Sequence, residues 1–142
     1  MHHQPIYKYM TVCPHTIGRE QTLDVARRFM REHSIRHLPV LDAGALVGIV
    51  SDRDLEFVLS IAEVDPKHVL VEDAMTPEPY IVPPDAKLSR VAAEMAEHKY
   101  GSAIVVESGH VAGVFTTVDA LRVLARMLEA EEPAPKSTRA RA

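Results

Sequence analysis

"GIVSDRDL", residues 48 to 55, reads as an apolar strand running straight into a helix, with Ser51 and Asp54 three residues apart at the junction. Sixty-five residues later "GVFTTVDAL", residues 113 to 121, repeats the arrangement with Thr116 and Asp119. Sliding the chain against itself by 65 residues aligns the two halves without a gap. Met10-Thr11 falls on Met75-Thr76, Pro14 on Pro79, Leu23 on Leu88, Met30 on Met95 and Glu32-His33 on Glu97-His98. Farther along, Val40 falls on Val105, Gly44 on Gly109, Gly48 on Gly113 and Val58-Leu59 on Val123-Leu124. A unit of about 50 residues is therefore present twice.

Each unit has the pattern β-α-β-β-α. "QTLDVARRFMREH" places Leu23, Ala26, Phe29 and Met30 at helical spacing behind Thr22, a candidate N-cap; Leu88, Val91, Ala92 and Met95 do the same in the second unit. "HLPVL" and "SAIVV" read as buried strands, "DAG" and "ESGH" as hairpin turns, and "ALVGIV" and "HVAGVF" as the returning strands. Short extended pieces, "HTI" and "YIV", precede the first helices, and "SDRDLEFVLSIA" and "TTVDALRVLARMLEA" supply the second ones. A unit this small buries too little apolar surface to stand alone, so the two should pack face to face about a pseudo-twofold axis in an α+β fold. The expected boundaries are 6–63 and 68–130, with 131–142, "EEPAPKSTRARA", a disordered tail that has almost nothing to bury.

Composition narrows the function. The 142 residues are 46% apolar and 25% charged, ordinary globular material. Net charge is -4, and with three cations and no acid from Pro133 onward the rest of the chain carries -7. An acidic body argues against a nucleic-acid surface, which needs a basic face. The single Cys13 excludes an internal disulfide and, beside Pro14 with no evident base, reads as inert. No apolar run has membrane length and "MHHQPIYKYM" lacks a signal-peptide core, so a cytoplasmic protein is expected. Eight histidines include no i, i+4 pair with an acidic partner, so no metal site is expected. His33 and His98 sit in last turns, where a histidine suits the helix dipole, and Met30, Met75 and Met95 read as core.

Ser51-x-x-Asp54 and Thr116-x-x-Asp119 have two compatible readings. Each is a capping box, the hydroxyl capping the helix and the carboxylate reaching back to the N-cap amide. Each also exposes a helix N-terminus that suits phosphate, beside a carboxylate able to accept bonds from ribose hydroxyls.

With "YMT" and "AMT" opening the units, "HSIRHLPVLD" and "HKYGSAIVVE" after the first helices, and the duplicated junction at their ends, the chain resembles a tandem pair of CBS (cystathionine β-synthase) domains, a Bateman module, over about residues 6 to 128. The resemblance implies that Asp54 with Ser51, and Asp119 with Thr116, contact the ribose of an adenosyl ligand such as AMP, ADP, ATP or S-adenosylmethionine. It implies an Asp54 cleft lined by Thr76, Ile81, Tyr100 and Ile49, and an Asp119 cleft lined by Thr11, Thr16, Ile35 and Val114. Arg36, His37 and Arg53 would favour a phosphorylated ligand at the first, where the second has Gly101, Ser102 and Val118. Tyr100 would stack on adenine or fill the space between the units.

The resemblance implies a regulatory module with no required cofactor, signalling through an unknown protein partner or its own homodimer, for which the Val118, Leu121, Leu124, Ala125 and Leu128 stripe could supply contact. The alternative is a ligand-free dimerisation or interaction domain with degenerate clefts. A Ser51, His37, Asp54 triad is disfavoured, because no oxyanion-hole turn or metal accompanies it.

Overall fold

The computed structural model describes residues 4–13, 15–61 and 63–133. Two four-stranded sheets form, each built mainly by one repeat. The first contains β2 (Ile17–Gly18), β3 (His37–Asp42), β4 (Ala45–Ser51) and β5 (Thr76–Pro77), in that order. The second runs β1 (Thr11–Val12), β8 (His110–Thr116), β7 (Ser102–Glu107) and β6 (Ile81–Val82). Helices α1 (Leu23–His33) and α2 (Asp52–Leu59) belong to repeat 1; α4 (Leu88–His98) and α5 (Thr117–Glu131) belong to repeat 2, with the short α3 (Val71–Ala74) between them. The tail expected from residue 131 begins one residue inside α5, and 134–142 lies outside the described residues.

The edge strands are exchanged. β1, at the start of repeat 1, pairs antiparallel with β8, and β5, at the start of repeat 2, pairs antiparallel with β4. The residues ahead of them cross over too: Ile6 is buried in the core of repeat 2 and Val71 in that of repeat 1. Their amides donate to Ala86 and Gln21, two carbonyls 65 positions apart, as the amides themselves are. The exchange explains the pair Gly48 and Gly113. A Cβ at either would lie 2.6 Å from a methionine sulfur, Met75 or Met10, and 2.8 or 2.7 Å from the carbonyl oxygen of Thr76 or Thr11 on the incoming strand. No side chain fits where another backbone passes that close.

Alternation along the strands separates two kinds of core. Leu38, Val40 and Val50 face α1 and α2, while Ala103, Val105 and Phe115 face the helices of repeat 2. The opposite faces carry Ile49 from repeat 1 and Ile104 and Val114 from repeat 2, which with Cys13 form a third buried cluster joining the sheets. Burying each such aliphatic side chain contributes about 1.5–3 kcal/mol, so this seam holds the halves together. The hairpins turn through Ala43-Gly44 and Ser108-Gly109, all four at positive φ as the tight two-residue turn requires.

Candidate functional site

Each strand-to-helix junction closes a complete capping box. The Ser51 amide donates to Asp54 Oδ2 at 2.9 Å, and the Asp54 amide donates to Ser51 Oγ at 3.1 Å. The Thr116 amide donates to Asp119 Oδ2 at 2.9 Å, and the Asp119 amide to Thr116 Oγ1 at 3.3 Å. These bonds stop each strand and orient each carboxylate at the end of the seam between sheets. Thr22 makes no such cap for α1; its hydroxyl donates to Asp24, which lowers that carboxyl's pKa.

The two carboxylates differ in what else they hold. Asp119 is buried, at 5% exposure, and accepts three further bonds: Thr116 Oγ1 donates to Oδ2 at 3.2 Å, while Thr11 Oγ1 and Arg122 Nη1 each donate to Oδ1 at 3.1 Å. Thr11 reaches it from the exchanged strand β1, where it sits opposite Val114. Asp54 is half-buried, and among the described residues no donor bonds to its Oδ1. Thr76 sits opposite Ile49 on the exchanged strand β5, the place that Thr11 has in the other half, and no hydrogen bond joins it to Asp54.

The basic residues around Asp54 divide. His37 lies opposite Ser51 in the β3–β4 ladder. Burial lowers its pKa, partly opposed by the charges of Asp52, Asp54 and Asp119, so the imidazole is neutral at pH 7 and lies in the field of both motif carboxylates. The Arg36 carbonyl accepts from the Asp52 amide, and its guanidinium turns to Asp52 at 3.9 Å. Arg53 is exposed on the first turn of α2. In repeat 2 Ser102 stands opposite Thr116, and Gly101 accepts from the Thr117 amide.

The expected walls are placed as follows. Ile81 is 48% exposed and pairs in parallel register with Ile104, a residue of the inter-sheet seam. Tyr100, 40% exposed, lies with its ring 5.1 Å from Tyr80 and 5.1 Å from His98, so it is part of an aromatic group as well as a cleft candidate. Ile35 packs on the core of repeat 1 and Thr16 is half-buried ahead of β2; no hydrogen bond joins Thr16 to Asp119. Sequence reasoning missed Arg122, which falls one helical turn after Asp119 with Phe57 as its counterpart.

Two hollows lie elsewhere, on the helical faces. One of about 660 Å³ is bordered by Arg27, Arg31 and Arg36; another of about 1070 Å³ runs between α4 and α5. Neither is lined by Asp54 or Asp119. A hollow between helices shows available volume, whereas the motif carboxylates and helix N-termini supply the chemistry, so the seam is the better candidate. Among the described residues no group of three or more potential metal ligands forms, and no helix is long and apolar enough to cross a membrane.

Two similar halves, exchanged strands and paired strand-to-helix carboxylates make a tandem pair of repeats, and comparison with known families agrees. The family model for the CBS domain matches residues 6–60 and 71–126, and the chain belongs to that family. An inosine-5'-monophosphate dehydrogenase of Korarchaeum cryptofilum is 38% identical over 105 residues, 73% of this chain and 21% of that protein. The chain thus spans about a fifth of that relative's length. The CBS domain pair of protein MJ0100, solved in complex with 5'-methylthioadenosine and S-adenosyl-L-methionine, has the same fold at TM-score 0.77 and 23% identity, over 89% of this chain and 99% of that one. CBSX2, solved in complex with AMP, matches at TM-score 0.66 and 28% identity over 87% of this chain and 98% of that one.

Proposed function

We propose that the chain is a regulatory module, without catalytic activity of its own, that binds an adenosyl ligand of the AMP, ADP, ATP or S-adenosylmethionine class in the cleft at Asp54. The observation that carries this reading is the open Oδ1 of Asp54 at the N-terminus of α2. Asp54 accepts the ribose hydroxyls, with Ser51 beside them; Ile49 and Thr76 form the floor, and Ile81 and Tyr100 the wall against the base. His37 and Arg53 approach a phosphate, and Arg36 joins them by leaving Asp52. At the second cleft Asp119, Thr116, Thr11, Thr16, Ile35, Val114 and Ser102 offer fewer charges and a more occupied carboxylate. The AMP bound by CBSX2, a relative in fold and sequence, supports the ligand class.

Binding alters function only by favouring one packing of the halves over another. The output passes to a protein partner or to a homodimer through the apolar side of α5, where Val118, Leu121, Leu124, Met127 and Leu128 are exposed. Thermal-shift titration with AMP, ADP, ATP, S-adenosylmethionine and NADH tests the reading. A ligand at 100 times its Kd should stabilise the fold by about 2.7 kcal/mol. The rise should vanish in Asp54→Ala; no rise with any of the five contradicts nucleotide sensing by this set.

A further inference from the structure

Asp119 already holds every bond a carboxylate readily accepts. A carboxylate offers about four acceptor sites. At Asp119 the Thr116 amide and hydroxyl use those of Oδ2, and Thr11 and Arg122 use those of Oδ1. A ribose diol donating to this carboxylate must displace one of them. Thr11 belongs to the exchanged strand and is held in its ladder by Val114. Arg122, with a side chain 63% exposed, is the donor free to move.

Repeat 1 lacks that donor. The position 65 residues before Arg122 is Phe57, which lies on the same turn of α2, is 71% exposed and has nothing to donate. Resting on the nucleotide reading above, we infer that Arg122 is a specificity-determining latch: its guanidinium occupies the ribose-facing oxygen of Asp119 and limits the chain to one tightly held adenosyl ligand, at Asp54. The same aspartate, cap and incoming threonine are present in both halves, and Arg122 gives Asp119 a side-chain donor on the following helical turn for which Asp54 has no counterpart.

Equilibrium dialysis of the full chain with radiolabelled AMP, and separately with adenosine, tests this. Wild type should hold one AMP tightly, and Asp54→Ala should remove it. Adding Arg122→Phe to Asp54→Ala should tighten the remaining Asp119 cleft about tenfold for both compounds, the worth of one hydrogen bond to a charged group. The converse change, Phe57→Arg in otherwise wild-type protein, lies on an exposed position that the fold tolerates and should weaken the Asp54 cleft by a similar factor.

Two equally tight sites in wild type, or no change with either variant, overturns the latch while leaving nucleotide binding intact. If Arg122→Phe weakens AMP but not adenosine, Arg122 is a phosphate contact and the latch is also overturned. If wild type and every variant bind neither compound, the nucleotide reading fails and the latch falls with it.

Discussion

In repeat 1 the Asp52 amide donates to the Arg36 carbonyl; in repeat 2 the Thr117 amide donates to the Gly101 carbonyl. The backbone bond is the same, and the side chains around it are not: Arg36, His37, Asp52 and Arg53 face Gly101, Ser102, Thr117 and Val118 in the aligned half. The exchanged strands, the glycines beneath them, the hairpin turns and the capping boxes all recur. Duplication has kept what the exchange of strands requires and released what the clefts present. The same skeleton therefore holds one half-buried, cation-flanked carboxylate and one buried, saturated one.

The largest expected effect tests whether the skeletons are equivalent. Gly48→Ala and Gly113→Ala each push a Cβ into a methionine and a crossing carbonyl, and each should destabilise by about 1–3 kcal/mol in urea denaturation. Equal losses support the exchange; a loss at only one position breaks the symmetry. Next comes the difference between the carboxylates. Asp54→Ala removes the bond from the Ser51 amide, worth about 1 kcal/mol, whereas Asp119→Ala also strands the bonds from Thr11 and Arg122 and should lose about 2 kcal/mol. Stability and binding should thus rank the two aspartates in opposite orders.

A smaller effect concerns His37, which Ser102 replaces in the other half. Burial holds its folded pKa below the ordinary 6.5, so the unfolded chain takes up the proton more readily. Its contribution to stability is complete above about pH 6.5 and is lost as pH falls through that value toward the folded pKa. The unfolding midpoint of His37→Gln should decline less than wild type between pH 7 and 5.5. A bound phosphate favours the imidazolium, so AMP affinity should rise over the same interval in wild type alone. The smallest effect is at Cys13, buried in the seam with its thiol pKa raised, where repeat 2 has the exposed Glu78. Iodoacetamide should leave Cys13 unmodified in the native protein and label it in urea.

Much of this was legible in the sequence because a repeat shows every position twice. The helices, hairpins and both capping boxes follow from period, turn residues and the spacing of Ser51 to Asp54 and Thr116 to Asp119. The exchange of β1 and β5 was not, since two-residue strands carry no periodicity and pairing across the halves leaves no local mark. Gly48 and Gly113 are its trace in the residues, glycine at matching points of two apolar strands signalling a close backbone, and the family resemblance placed Thr76 beside Asp54 and Thr11 beside Asp119. Arg122 escaped because an arginine on an exposed helical turn has the composition of a solvated surface; only the bond to Asp119 distinguishes it. Arg36 was placed near its cleft by sequence, but its side-chain direction depends on Asp52, which spacing alone does not report.

Amide chemical-shift mapping of the full chain during titration with AMP tests the inequality of the clefts most directly. The account predicts that the earliest and largest changes fall on Ile49, Ser51, Asp54 and Thr76, with Thr11, Val114, Thr116 and Asp119 following only at higher concentration. Changes that begin at Asp119, or that fall on the exposed side of α5 and leave both junctions unmoved, would contradict it.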